Sequence, residues 1–577
     1  MQAQTSPALL SPEPKALLIV AERLAIHAQA IVPDASEIRI AFEAPRHREF
    51  GDFATNIAFG LARTAREAPQ RLAERIVERA QHDATLTGYL SELTALAGFI
   101  NLRLAADCWH GMLIEMLRKG AAFGRDRLAG SERISLEFGS ANPTGPLVVV
   151  QGRSLSIGDT LARTLRFCGV PVTTEWIVND AGNQLETFAR SIYARYRQMS
   201  DPTYPFPEEG YPGEYVAPIA AALRERDGDR WERAEESAWL SIFADFGRDR
   251  IVTEQRAVCE RFRVMTDHWQ SERDLHEQGA VERGIEHLRG QGHIYDKEGA
   301  TWFAATHFGD DKDRVVRRSD GRPTYYAGDV AYHHDKYLRG AQRIIDILGP
   351  DHHGYIGRLT ALAAALEHPG TLEVLIAQQM TLMRGAEEVS LSKRSGTILT
   401  LAEVIDEVGV DAARFFFIQI SSDSPLTFDL ELAKRTNDEN PVYAVQYGHA
   451  RIASLLRRAT PEDIAAAQGG EGVAHLTERS ELSLIARLSE LPQVVVASAT
   501  LRATHRLARY ARDVASDFHH FYAAHRILGD DQELRRGRLA LALATQRTLA
   551  VLLDLMGVSA PDEMASTVAV EFNSSAE

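Results

Sequence analysis

A chain of 577 residues, 45% hydrophobic and 25% charged, has the composition of a soluble globular protein and room for three or four domains. Its net charge of −16 leaves nucleic-acid contact only to local basic patches, since phosphate binding needs Lys and Arg. The three cysteines, Cys108, Cys168 and Cys259, lie far apart and form no CxxC pair, which argues against a zinc site or disulfide framework; no long apolar run and no basic-then-apolar leader is present, so a cytoplasmic protein without a membrane span is expected.

Residues 1 to about 125 mix amphipathic helices ("SPEPKALLIVAERLAIHAQA", "APQRLAERIVERAQ") with the alternating strand "AGFINLRLA", a small α+β unit. From about 130 the pattern becomes α/β. "RISLEF" reads as a strand, "GSANPTGPL" as a loop, and "GRSLSIGDTLARTLRFCG" as a helix with Ile157, Leu161 and Leu165 on one face. "PVTTEWIV" is the next strand, which completes a βαβ unit. Further on, "RIIDILG" is a strand, "PDHHG" a turn and "YIGRLTALAAALEH" a helix; "TLEVLIAQQMTL" reads as one more strand before the polar loop around Ser390 to Gly396. Ligands in open α/β sheets bind beyond the carboxyl ends of the strands. The residues at those ends are Glu137, Ser140, Asn142, Asn179, Asp180, Asp351, His352 and His353. After Leu401 the pattern is almost wholly helical, interrupted at "AAAQGGEG".

Between Leu501 and Ala550 nine arginines stand against five acids. Arg502, Arg506 and Arg509 share one helical face, while Leu507, Tyr510, Val514, Phe518 and Phe521 form an apolar stripe. Read alone, that basic face is a solvated surface.

Ten stretches, in order, resemble the arginyl-tRNA synthetases of the bacterial class I type. They include "GDFATNIAFGLA", "GFINLRL", "EFGSANPTGPL", "VNDAGNQ", "FGDDKDRVVRRSDGRPTYYAGDVAYHHDK", "GPDHHGY", "LSKRSGTILTLAEVIDEVGVDAARFFF" and "NPVYAVQYGHARI", and they span nearly the whole chain. The resemblance implies a multidomain α/β protein. A tRNA-elbow domain would occupy 1–125, a Rossmann-type catalytic domain 126–400, a stem-contact linker 401–435 and an all-α anticodon-binding bundle 436–577. It implies a monomer that joins L-arginine to arginine tRNA, with ATP and its Mg2+ as substrate and no metal or organic cofactor held by the protein.

In that family the positions Val148-Val149-Val150-Gln151 would read His-Val-Gly-His, the "HIGH" element. Its imidazoles stabilise charge on the α-phosphate during adenylation, and its glycine lets adenine approach the backbone. Val148 offers no donor, Val150 adds a branched side chain, and Gln151 keeps only a neutral amide. A slowing of at least ~10³ is expected from the lost donors. The second signature, "KMSK", reads Ser390-Leu391-Ser392-Lys393, with Arg394 behind it. Ser392, Lys393, Arg394 and Gln151 are therefore the catalytic candidates. Val148, Val150, Gln151, Gly152, His352, His353, Gly354 and Lys393 are the ATP-binding ones.

The resemblance assigns arginine binding to Glu137, Ser140, Asn142, Tyr325, Asp329 and Gln379; Tyr325 and Asp329 are four apart, on one helical face. The adjacent His352 and His353 do not have a metal-ligand spacing, and His333 and His334 read as helix surface or tRNA-side packing. Tyr447, Arg451, Arg502, Arg506 and Arg509 are the tRNA candidates, through stacking and phosphate contacts; core packing of Tyr443 on Tyr447 stays an equal reading. A working ligase, a silent relative that binds arginine or tRNA, and an arginine-activating enzyme with a non-tRNA acceptor remain open.

Overall fold

The structure, a computed structural model, describes residues 15–43, 45, 48–389 and 399–564. Near the N-terminus the strand Phe99–Leu104 pairs antiparallel with Leu90–Leu96 on one side and Phe53–Thr55 on the other. The helices Lys15–Ile31 and Pro69–Ala80 bury Leu17, Val20, Leu24, Leu72 and Ile76, the apolar stripe their helical periodicity demands. The next helix, Ala106–Lys119, rests on the C-terminal bundle: the His110 ring bonds the Leu476 carbonyl, and Arg547 donates to the Leu117 carbonyl.

A parallel sheet forms the centre. Its strands are β1 (Ile134–Phe138), β2 (Val172–Val178), β3 (His268–Ser271), β4 (Arg343–Leu348) and β5 (Leu372–Ile376), in the order β5-β4-β1-β2-β3. The winding reverses between β1 and β4, and ligands of such sheets bind at that switch point. Helix α1 (Val149–Phe167) links β1 to β2 and buries Ile157, Leu161 and Leu165. It lies so close to β1 that a Cβ on Gly158 would stand 2.1 Å from the Phe138 ring. Only glycine allows that approach. The helices Asn183–Gln198, Val216–Asp227 and Glu236–Arg261 are inserted between β2 and β3 around their own core of Phe188, Trp239 and Phe243. Helix α2 (Tyr325–Leu338) leads into β4 and packs beside a small antiparallel sheet of Ile294–Lys297, Ala300–Phe303 and Arg314–Arg317.

Two expectations change here. The apolar run from Thr371 to Leu382 is not one strand. β5 ends at Ile376, and β6 (Met380–Arg384) belongs to another sheet, parallel to β7 (Leu426–Asp429) and antiparallel to Glu387–Val389. The cause is the buried Arg153 of α1. Its guanidinium collects the carbonyls of Gln378, Gln379, Ser421 and Ser424, which diverts them from a continuous ladder. β7 is also the exception to the all-helical reading after Leu401.

The remainder is helical, with α3 (Val410–Ile418), α4 (Pro441–Arg458), α5 (His505–Ala524) and α6 (Gln532–Leu555) as its longer members around the site. The stretch Arg479–Thr500 is long and apolar enough to span a membrane by composition, yet half of it is buried in the protein and it breaks at Glu490.

One side chain ties the bundle to the sheet. Arg414 of α3 is fully buried and donates to Asp159 of α1 (2.5 Å), the Phe262 carbonyl (3.0 Å) and the Met556 carbonyl (2.8 Å). Gly557, at φ +67°, makes room: a Cβ there would lie 2.4 Å from the guanidinium. Removing one partner of a buried pair strands the other's charge, at a cost of about 3–5 kcal/mol. Arg414→Met is therefore expected to lower the urea midpoint by a corresponding amount; an unchanged midpoint would show that the junction is held elsewhere.

Candidate active site

The register of the central sheet sets Asp346, Glu137 and Glu175 side by side on β4, β1 and β2. All three carboxylates are buried. Helix α2 supplies their partners. Lys336, fully buried, donates to Glu137 Oε2 (2.6 Å) and Asp346 Oδ1 (3.0 Å). Arg339 grips Glu175 with both terminal nitrogens (2.9 and 2.7 Å), and Ser135 donates to the same carboxylate. His333 stands between the Asp329 carbonyl at Nδ1 (2.8 Å) and Asp346 Oδ2 at Nε2 (2.9 Å). Both neighbours are acceptors, so both ring nitrogens must donate and the imidazole is charged. In agreement, although burial opposes its charge, Asp346 raises the His333 pKa. Burial likewise opposes ionisation of Asp346, and Lys336 and His333 overcome it, holding that carboxyl well below the usual range. This corrects the reading of His333 as helix surface; His334 is half-buried and stacks on His287.

Two further carboxyls face the open end without such partners. Asp329 sits one turn before His333 on α2, half-buried. Burial, with Glu137 and Asp346 adding to it against His333, pushes it up to about 6. Glu272 follows β3 and rises to about 7, through burial first and then the charges of Asp329 and Asp180. Among the described residues neither forms an ion pair. Asp180 differs, because Ser271, the Arg273 N–H and Arg248 all reach it. Glu272, Gly182, Arg318, Arg322 and Tyr325 line an open pocket of about 330 Å³. Tyr325 is 67% exposed there as the first residue of α2.

The loop after β1 carries the next candidates. Ser140 donates to Glu137 Oε1 (2.9 Å) and accepts from the Ile177 N–H (3.1 Å). Asn142 is exposed and accepts from the Asn179 amide, while Gln255 pins the loop by the carbonyls of Asn142 and Gly145. Gln379 follows β5 with an exposed side chain, and its carbonyl accepts from Arg153 and the Leu426 N–H. His352, His353 and Gly354 form an exposed turn at the carboxyl end of β4.

Val148 to Gln151 are the cap and first turn of α1 rather than loop. The Gln151 Oε1 accepts from the Val148 N–H (2.8 Å), so that amide is spent on capping. Val148 bridges to Thr400, the Val149 N–H donates to the Leu399 carbonyl (3.3 Å), and Val149 is buried. Val150 is 40% exposed. Gly152 packs closely on the fold: a Cβ there would meet Leu401 and Phe417 at 2.7 Å. Ser392, Lys393 and Arg394 lie outside the described residues. Among the described residues no cluster of His, Cys, Asp or Glu is arranged to hold a metal ion.

On the helical bundle, Tyr447 stacks on Tyr443 (5.9 Å) and His519 (6.1 Å), and the Arg451 guanidinium lies over both Tyr447 and Tyr522. Arg506 and Arg509 are exposed on α5. Arg502 is not on that face. It precedes the helix in a turn at φ +55°, and its guanidinium is committed to Glu373 of β5. Arg512 takes its place, lining with Arg509, Asp438 and His519 a cleft of about 810 Å³. Sequence reasoning missed Glu272, Lys336 and Arg512. The available signal for Glu272 was its place after a strand, but "HWQS" is too short and polar to read as one.

Comparison with known proteins agrees with this architecture. Residues 19–104 match the arginyl tRNA synthetase N terminal domain, 241–423 the catalytic domain of class I (R) tRNA synthetases, and 445–564 the DALR anticodon binding domain. The chain is 43% identical over 527 residues to the arginine–tRNA ligase of Syntrophotalea carbinolica, covering 91% of this chain and 95% of that one. It is 43% identical over 530 residues to that of Heliobacterium modesticaldum, covering 91% and 94%. The solved arginyl-tRNA synthetase of Thermus thermophilus has the same fold, with a TM-score of 0.71 at 21% identity over 95% of this chain and 100% of that one. With a five-stranded switch-point sheet and relatives of this likeness over nine-tenths of its length, the chain belongs to the arginyl-tRNA synthetases.

Proposed function

We propose that the chain activates L-arginine with ATP, taken as its magnesium complex, and transfers the arginyl group to the 3′ end of arginine tRNA. The observation that carries this is charge balance. Glu137, Glu175 and Asp346 are matched by Lys336, Arg339 and His333, whereas Asp329 and Glu272 wait unpaired beside Tyr325. A guanidinium is planar, permanently charged and rich in donors, and two carboxylates suit it. Glu137, Ser140, Asn142 and Gln379 are read as the rest of the arginine site. The turn His352–Gly354, the start of α1 and Lys393 of the second signature sequence are read as the ATP side. Tyr447, Arg451, Arg506 and Arg509 are read as tRNA contacts. The tRNA-elbow, catalytic, linker and anticodon units are read at 1–125, 126–400, 401–435 and 436–577, in a cytoplasmic monomer.

Adenylation is read as slow. Val148 and Val150 present no donor, and the N–H groups of Val148 and Val149 are taken by Gln151 and Leu399. Charging of arginine tRNA with labelled arginine tests both points. The variant carrying Val148→His, Val150→Gly and Gln151→His is expected to charge at least ~10²-fold faster than the natural chain. A natural chain that matches it would overturn slow adenylation. Failure of both, with tRNA still bound, would overturn the ligase reading.

The raised carboxyls give a second test. The guanidinium stays charged, so binding it below pH 7 drives protons off Glu272 and Asp329. Arginine is expected to bind more tightly as pH rises from about 5.5 to 8, with proton release in calorimetry, and a flat profile would contradict the pocket. The stability sign is the reverse. A carboxyl raised in the fold contributes stability below its unfolded value of about 4 and loses it as pH rises through the folded one. Without ligand, Glu272→Gln is therefore expected to gain Tm over the natural chain between about pH 5 and pH 8.

A further inference from the structure

We infer that Lys336 is a positioning residue for the arginine pocket, acting through Glu137, which its buried ammonium holds at the carboxyl end of β1. The inference rests on the arginine reading of that pocket.

A fully buried lysine is rare and requires partners. Lys336 Nζ has three: Glu137 Oε2 at 2.6 Å, Asp346 Oδ1 at 3.0 Å, and the face of the Tyr332 ring at 4.3 Å. The demands of the two carboxylates are unequal. Asp346 is also held by His333, whereas Lys336 is the cation paired with Glu137 among the described residues. The other oxygen of Glu137 accepts from Ser140, on the loop that opens toward the ligand end. Lys336 thus holds one oxygen of the carboxylate, and Ser140 on the loop after β1 holds the other.

Lys336 also stands seven residues after Asp329, two turns along one face of α2. The same helix therefore delivers an unpaired acid to the substrate and the cation that holds a second acid. Stability alone is a poor account of such a pair, since apolar packing of similar volume serves as well.

Arginine and ATP affinities are measured by calorimetry on the full chain, for Lys336→Met, Glu137→Gln and the double variant. Lys336→Met is expected to weaken arginine about ten-fold, the scale of one charged hydrogen bond, with ATP affinity unchanged. The double variant is expected to bind arginine no worse than Glu137→Gln alone. If Glu137→Gln weakens arginine and Lys336→Met does not, the inference is overturned while the pocket stands. If neither matters, both the inference and the assignment of Glu137 are overturned. Parallel losses for arginine and ATP would mark a merely structural role. Should Lys336→Met fail to fold, Lys336→Gln keeps a neutral donor for Glu137 in place of the ammonium, and the same selective loss of arginine is expected.

Discussion

Three carboxylates stand in one row across β4, β1 and β2, inside a parallel sheet of the kind that is normally apolar on both faces. Buried charges of this kind are costly to leave unmatched. The row fixes where α2 must lie, because that helix supplies Lys336 and His333, and the residue capping its end is Arg339. Once α2 is fixed, Tyr325 and Asp329 at its beginning are fixed at the mouth of the sheet. The site is therefore placed by electrostatics in the interior rather than by its own loops.

That arrangement separates structural from functional charge without reference to any ligand. Glu175 and Asp346 have cations in reach, whereas burial and like-charged neighbours raise Asp329 and Glu272. Asp180 shows that the distinction is not simply one of location. It lies near Glu272, yet Ser271, Arg273 and Arg248 satisfy it. Glu272, with the Ala181 backbone as its recorded donor, is left with its charge in deficit.

The sequence made much of this legible. Helical and alternating periodicities located the N-terminal α+β unit, β1, β2, β4 and α1, because each buries a regular stripe. Tyr325 and Asp329 were named by the family resemblance, and their four-residue spacing put them on one helical face. What stayed hidden depends on contacts far apart in the chain. The division of Thr371–Leu382 into β5 and β6 follows from Arg153, more than two hundred residues earlier. Arg502 read as a member of a basic face because spacing cannot show a turn at φ +55° or an ion pair with Glu373. His333 read as surface because its partner, Asp346, lies on the next strand. The role of Lys336 was invisible for the same reason: a lysine in a sequence looks exposed until register brings two carboxylates to it.

The pocket beside Tyr325 and the start of α1 depend on different parts of the fold. The first hangs on α2 and the row beneath it. The second hangs on the pairing of Val148 and Val149 with Thr400 and Leu399. Change at one therefore need not disturb the other, and the three valines show how such change is confined. Val149 is fully buried and its N–H is bound, so an apolar branched residue is required there by packing. Val148 and Val150 flank it with more open side chains, and Gln151 caps the turn by a bond that involves only its own amide and the Val148 backbone. The family pattern His-Val-Gly-His has valine at this same second position. Packing thus fixes the second of the four positions and leaves the other three freer to vary.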